Sequence, residues 1–184
     1  AEAQSPAPTT GHEGHMAAAA GSSPAHVLKP PPVLGQIPLV DSLGQQTSLR
    51  DVTDVEGPVF LNFIFTTCTT VCPVMSAGFG QFQRTLEKDR DQALLVSISI
   101  DPDIDTVAKL KAYAARHRAG ASWRFLTGTT KSTEAAQRAF GAYRGDKNNH
   151  VPATYFRRGR HAPWQILPGL ANAGTLVSLF RGAP

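Results

Sequence analysis

Hydrophobic residues along the chain fall into short apolar runs alternating with longer amphipathic stretches. Positions 59–65 form a nearly continuous apolar run, interrupted only by Asn62, which predicts a central strand buried on both faces. Next, Val74, Met75, Phe79, Phe82 and Leu86 recur near helical spacing and predict a helix over 73–88. Positions 93–100 alternate as a second strand. Val107, Leu110 and Tyr113 then place an apolar stripe on a helix over 105–117, with Asp105 as its cap. A short strand at 123–126 and a helix over 132–143, capped by Ser132 or Thr133, follow. Two strands at 153–156 and 164–167 and a last helix from about Asn172 complete the series. Ahead of the central strand, 37–40 and 47–49 flank the polar turn Asp41-Ser42-Leu43-Gly44 and predict a hairpin. The order predicts an α/β sandwich: a central mixed sheet flanked by helices, with an N-terminal β-hairpin.

Positions 1–32 carry no such pattern. They are rich in Ala, Pro, Gly, Ser and Thr and end in Lys29-Pro30-Pro31-Pro32, which reads as a flexible tail or tether before one domain over 33–184. The first residues, Ala1-Glu2-Ala3-Gln4, resemble what remains after signal-peptide cleavage, so an exported protein is expected, with any membrane anchor outside this sequence. The longest apolar run is strand-length, far short of a bilayer span. A length of 184 residues, 41% apolar and 17% charged, suits one folded core and excludes disorder throughout. The net charge of +4 is modest and its basic residues are scattered, which argues against nucleic-acid binding. A monomer is expected.

Chemistry concentrates in one place. The two cysteines lie together in Thr66-Thr67-Cys68-Thr69-Thr70-Val71-Cys72-Pro73, directly after the buried strand and at the start of a helix. The carboxyl end of a central strand in an open α/β sheet is where ligands bind, and a helix N-terminus favours a thiolate. At least one sulfur is therefore expected to have a lowered pKa. Residues four apart share one side of a helical turn, so both sulfurs can meet a disulfide bond or a soft metal. Pro73 suits the first turn, where its missing N–H has no partner to lose. A structural disulfide closing so small a loop would add little stability, and zinc would need two more ligands that do not cluster here. The pair alone suits Cu(I) or thiol–disulfide exchange equally.

The full run from Leu61 to Pro73 resembles the Sco/SenC family of copper chaperones, in which a strand leads into Cys-x-x-x-Cys-Pro. Ser99-Ile100-Asp101-Pro102-Asp103-Ile104-Asp105-Thr106 resembles the family's Ser-x-Asp-Pro-x-x-Asp-Thr stretch, and Ala139-Phe140-Gly141-Ala142-Tyr143 and Asn149-His150 follow in the expected order. The resemblance covers the chain from about Val33 onward. It implies a thioredoxin-like fold, a copper site formed by Cys68, Cys72 and His150, and delivery of Cu(I) or Cu(II) to a copper-site subunit of cytochrome c oxidase or to another copper chaperone. It implies a location in the bacterial periplasm or on the outer face of the cytoplasmic membrane. Thiolates hold Cu(I), and an imidazole makes the set able to accept Cu(II). The chain departs from the family in having Asn149, where an acidic residue commonly precedes the histidine, and Thr69 and Thr70, where one commonly lies between the cysteines.

Two other roles remain open for the same sulfurs. Cys68 and Cys72 would be the catalytic redox pair of a thiol–disulfide oxidoreductase, or the switch of a redox or copper sensor. The stretch Val151-Pro152-Ala153-Thr154 also resembles the segment that carries a cis proline in thioredoxin-like reductases, although a trans turn proline is the ordinary state of an X-Pro bond. In the tail, His12, His15, Met16 and His26 could pick up copper, but ordering a solvated segment makes that weak. Asp101, Asp103 and Asp105 read as turn and cap residues, and His117 and His161 as surface residues.

Overall fold

The computed structural model describes residues 24–182. The chain forms β1 (His26–Val27), β2 (Pro38–Asp41), β3 (Gln46–Ser48), α1 (Leu49–Thr53), β4 (Val59–Ile64), α2 (Val71–Leu86) and β5 (Leu94–Ser99). It continues through α3 (Val107–Arg116), β6 (Trp123–Thr127), α4 (Thr130–Ala139), β7 (Ala153–Arg157), β8 (Trp164–Pro168) and α5 (Ala173–Arg181). One eight-stranded sheet runs in the order β1-β8-β7-β4-β5-β6-β2-β3. The β4, β5 and β6 strands are parallel, and the other neighbours pair antiparallel.

All six residues of β4 are buried, because side chains alternate across a strand and both faces are covered. Phe60 and Ile64 join a cluster with Phe79 and Phe82 of α2, Tyr113 of α3 and Leu176 of α5. Val59, Leu61 and Phe63 join the opposite cluster, with Val52 of α1 and Phe140 beyond α4. Truncating one such phenylalanine to alanine costs about 3–5 kcal/mol. Asn62 interrupts the apolar run without weakening it: its Oδ1 accepts from Ser97 Oγ at 2.6 Å, and Ser97 Oγ accepts from Trp123 Nε1 at 3.0 Å. This polar thread ties β4, β5 and β6 together inside the core. On the same face of the sheet, Gly78 lets α2 lie against the β8–α5 connection, since a Cβ there would stand 2.8 Å from the Ala171 carbonyl oxygen.

The expected hairpin forms from β2 and β3 and joins the sheet through β6. Several ends differ from expectation. Leu49 begins a short helix instead of ending a strand, because Ser48 accepts from the Asp51 N–H and caps it. Thr129, not Ser132 or Thr133, caps α4 by accepting from Ser132 N. Thr106, not Asp105, caps α3. Within the segment expected to be a tail, β1 pairs with β8. Among the described residues, no helix is long and apolar enough to cross a membrane.

Candidate functional site

The β4 strand ends at Ile64, and a tight loop carries the chain to the first turn of α2. Cys68 donates its N–H to the Phe65 carbonyl at 3.1 Å, which folds the loop back on the strand. Thr70 is the N-cap of α2 but makes no side-chain cap bond; its Oγ1 lies 3.7 Å from Cys68 Sγ instead. Cys72 and Pro73 occupy the first turn of α2, where a missing proline N–H costs nothing. Cys68 is 9% exposed and Cys72 fully buried. The two thiols are unlinked.

Their environments drive them apart. Burial pushes the Cys68 thiol upward, but hydrogen bonds from the backbone and side chain of Cys72 and from Thr70 outweigh it, so its pKa falls below the ordinary value. Burial pushes the Cys72 thiol up to about 12, helped by the hydrogen bond with Cys68 and by the nearby Cys68 and Asp105 charges. Cys68 is thus the more readily ionised of the two thiols, and Cys72 the one that holds its proton.

Asp105 organises the loop from below. Its buried carboxylate accepts from Thr66 N, 3.2 Å from each oxygen, from Thr66 Oγ1, and from Ser99 Oγ at 2.7 Å. Sequence reasoning gave this residue a capping role; the partner that reveals its actual role, Thr66, lies 39 positions away. Asp103 is exposed, and Asp101 pairs with Lys147 at 2.7 Å. Asp101 and Asp105 are therefore both tied into the fold.

His150 follows a 3-10 turn at Lys147–Asn149, just before β7. Its ring is half-buried, edge-on to Phe65 with centroids 6.3 Å apart, and its Nε2 is buried without a hydrogen-bond partner. Burial lowers its pKa, Arg144 adds to the shift, and the Phe63 carbonyl opposes it. The imidazole is therefore neutral near pH 7, the form that binds metals. A cavity of about 170 Å³ is lined by Cys68 and His150 together with Phe65, Thr67 and Lys147. The structure thus brings Cys68 against Cys72, and Cys68 and His150 to one cavity. It does not bring three donors to coordination distance: among the described residues, no group of three His, Cys, Asp or Glu side chains is close enough to hold a metal.

Among the described residues the only cis peptide precedes Pro30, so Pro152 takes the trans form. His161 is exposed as expected. His117 is not a simple surface residue; it is half-buried, its ring 4.5 Å from that of Tyr113. His26 lies in β1, while His12, His15 and Met16 fall outside the described residues.

The SCO1/SenC family model matches residues 28–160. A SCO1 protein homolog from Bacillus subtilis is 36% identical over 103 residues, which is 54% of this chain and 52% of that protein. The chain spans about half the length of the curated relatives it matches, 52% and 50%. The structure of BsSco, described as a member of the Sco family of cytochrome c oxidase assembly proteins, superposes with a TM-score of 0.68 at 24% identity, covering 83% of this chain and 93% of that one. Yeast Sco1 with copper bound superposes at 0.65 with 20% identity, covering 83% and 92%. The expected thioredoxin-like sandwich is the fold observed. With the family model spanning most of the folded domain, from β2 through β7, the chain belongs to the SCO1/SenC family.

Proposed function

We propose that the protein is a metallochaperone that takes up copper as cargo through Cys68, Cys72 and His150 and passes it to the copper centre of cytochrome c oxidase. The observation that carries this reading is the buried, unpartnered Nε2 of His150 across one cavity from the lowered thiol of Cys68. A buried polar atom left without a partner costs free energy, and a ligand that accepts its lone pair recovers it. Soft thiolates and one imidazole suit both Cu(I) and Cu(II). A relative that binds copper, yeast Sco1, and one that assembles the oxidase, BsSco, share the fold.

Each side chain has a distinct task. Cys68 offers a thiolate at the cavity. Cys72 releases its proton as the second sulfur engages, so uptake of one ion displaces at least one proton into solvent. His150 engages without losing a proton. Because the donors do not stand together in this structure, uptake draws them in, and the same reversibility lets the cargo leave.

A second reading keeps support from the split between the thiols. In thiol–disulfide exchange, the Cys68 thiolate attacks a partner's disulfide, forms a mixed disulfide and expels one partner thiolate. Cys72, once deprotonated, attacks Cys68 Sγ and expels the second. The chain ends as the Cys68–Cys72 disulfide, and the partner gains two electrons and two protons. The trans form of Pro152 gives this reading no further help.

Titration of the reduced protein with Cu(I) and Cu(II), against His150→Ala, tests the first reading. Wild type should hold Cu(II) far more tightly than the variant. Binding of neither ion more tightly than His150→Ala would sink it.

A further inference from the structure

We propose that Lys147 is a positioning residue for His150: its ion pair with Asp101 latches the histidine-bearing turn to the rim of the cysteine site. The inference rests on the copper reading of Cys68, Cys72 and His150 and adds a residue to it.

The turn at Lys147–Asn149 is anchored to the sheet through few contacts. The other side-chain and backbone hydrogen bonds of residues 144–149 stay within their own loop. Arg144 Nη1 donates to the Gly141 and Tyr143 carbonyls, Asn149 Nδ2 to the Arg144 carbonyl, and the Asn148 and Asn149 N–H groups to Asp146. Among the described residues, only the Lys147 side chain carries a hydrogen bond out of the loop. Its Nζ lies 2.7 Å from Asp101 Oδ2 and 5.6 Å from the centroid of Phe65, the ring against which His150 also packs.

The far end of the latch is rigid. The Asp101 carbonyl accepts from Ile104 N at 3.1 Å and Asp105 N at 2.9 Å, while its N–H donates to Ser99 Oγ at 3.0 Å. Ser99 Oγ in turn donates to Asp105, which holds the cysteine loop through Thr66. One continuous path therefore runs from the cysteine loop to the histidine turn: Thr66, Asp105, Ser99, Asp101, Lys147. The path sets where His150 stands relative to Cys68, and it does so through an amine that lines the cavity. The Asp101 carboxylate also offsets the charge of that ammonium, which would otherwise repel a cation entering the site. With the latch gone, the turn must be ordered at the moment the metal is bound, and that cost falls on the affinity.

The test uses Lys147→Met with Asp101→Asn, which removes the pair without changing net charge, beside a swapped pair, Lys147→Asp with Asp101→Lys. Each is titrated with Cu(II) and Cu(I), with and without His150→Ala, and the Cu(II) complexes are followed by visible absorption and electron paramagnetic resonance. The latch predicts Cu(II) affinity about three- to fivefold weaker in the neutral pair, recovery in the swapped pair, and a smaller change for Cu(I), which the two thiolates alone already hold. In the His150→Ala background the neutral pair should have no further effect. Wild-type Cu(II) affinity and spectra in the neutral pair would overturn the proposal, as would an equal loss for Cu(I). If instead His150→Ala binds Cu(II) as wild type does, the copper reading itself fails, whatever the latch variants do.

Discussion

Replacing Asp105 should damage both stability and site, and by an amount the structure allows us to work out. The side chain is fully buried, yet among the described residues no Lys, Arg or His pairs with it. It accepts three donors instead: the Thr66 N–H, the Thr66 hydroxyl and the Ser99 hydroxyl. Asp105→Ala removes the acceptor of all three, the buried Ser99 hydroxyl and the two part-buried Thr66 donors, and at about 1–2 kcal/mol for each donor left unmade the loss reaches at most about 3–6 kcal/mol. Against a total stability of about 5–15 kcal/mol for a domain, that is a large fraction. Asp105→Asn keeps one acceptor oxygen but turns an amide N–H toward the donors, so about half the loss is expected. Urea unfolding reads the result: with a slope of about 2 kcal/mol per M, the midpoint of Asp105→Ala should fall by about 2 M with little change in slope. The exposed Asp103→Ala is the control. Equal midpoints for Asp103→Ala and Asp105→Ala would refute the reasoning, because they would mean that the buried carboxylate holds nothing its replacement by a methyl group loses. A second readout follows the loop itself: the rate at which Cys68 reacts with a thiol reagent should change in Asp105→Asn even where the protein remains folded.

The remaining predictions concern the helix that starts at the site. Gly78→Ala should destabilise the protein by about 1–3 kcal/mol in thermal or urea unfolding, although alanine in a helix interior ordinarily gains about 1 kcal/mol over glycine; the added methyl would meet the Ala171 carbonyl at 2.8 Å, and a stabilised variant would show that this approach is not tight. Alkylation of the reduced native protein should mark Cys68 first, at a rate that rises with pH and levels off below the ordinary thiol range, since its anion is favoured. Cys72, pushed up to about 12, should stay unmodified in the same samples; mass spectrometry finding both labelled at equal rates would count against the asymmetry.

How much of this was legible in the sequence depends on how far apart the interacting residues lie. The 59–65 run announced β4 because both of its faces are buried, and the spacing of Phe79, Phe82 and Leu86 announced α2 because one face is. Cys68, Cys72 and Pro73 could be placed at a strand end and helix start from their neighbours alone. Element ends were less legible. The cap of α4 moved to Thr129 because several hydroxyl residues compete there, and local preference cannot choose among Thr129, Ser132 and Thr133. Asp105 was misread for a related reason: next to Thr106 it looks like a cap, and its tie to Thr66 is a product of the β4–β5 pairing. His150 showed no local signal beyond its neighbours in the family motif. Its buried Nε2 and its contact with Phe65 arise only when the loop before β7 folds over the end of β4. Lys147 carried no signal at all, because an amine in a polar loop looks like any solvated lysine.

The two-residue strand β1 has a consequence out of proportion to its length. Family similarity starts at residue 28, yet His26 and Val27, just before that point, pair with Ile166 and Gln165 and cover part of the outer edge of β8. An uncovered sheet edge offers unpaired N–H and C=O groups to any extended chain, including another copy of the same protein. A chain trimmed to the family boundary would therefore retain its fold and its cysteines but carry an adhesive side, open to strand addition and aggregation. His26 and Val27, upstream of the family boundary, are in this sense part of the domain's solubility.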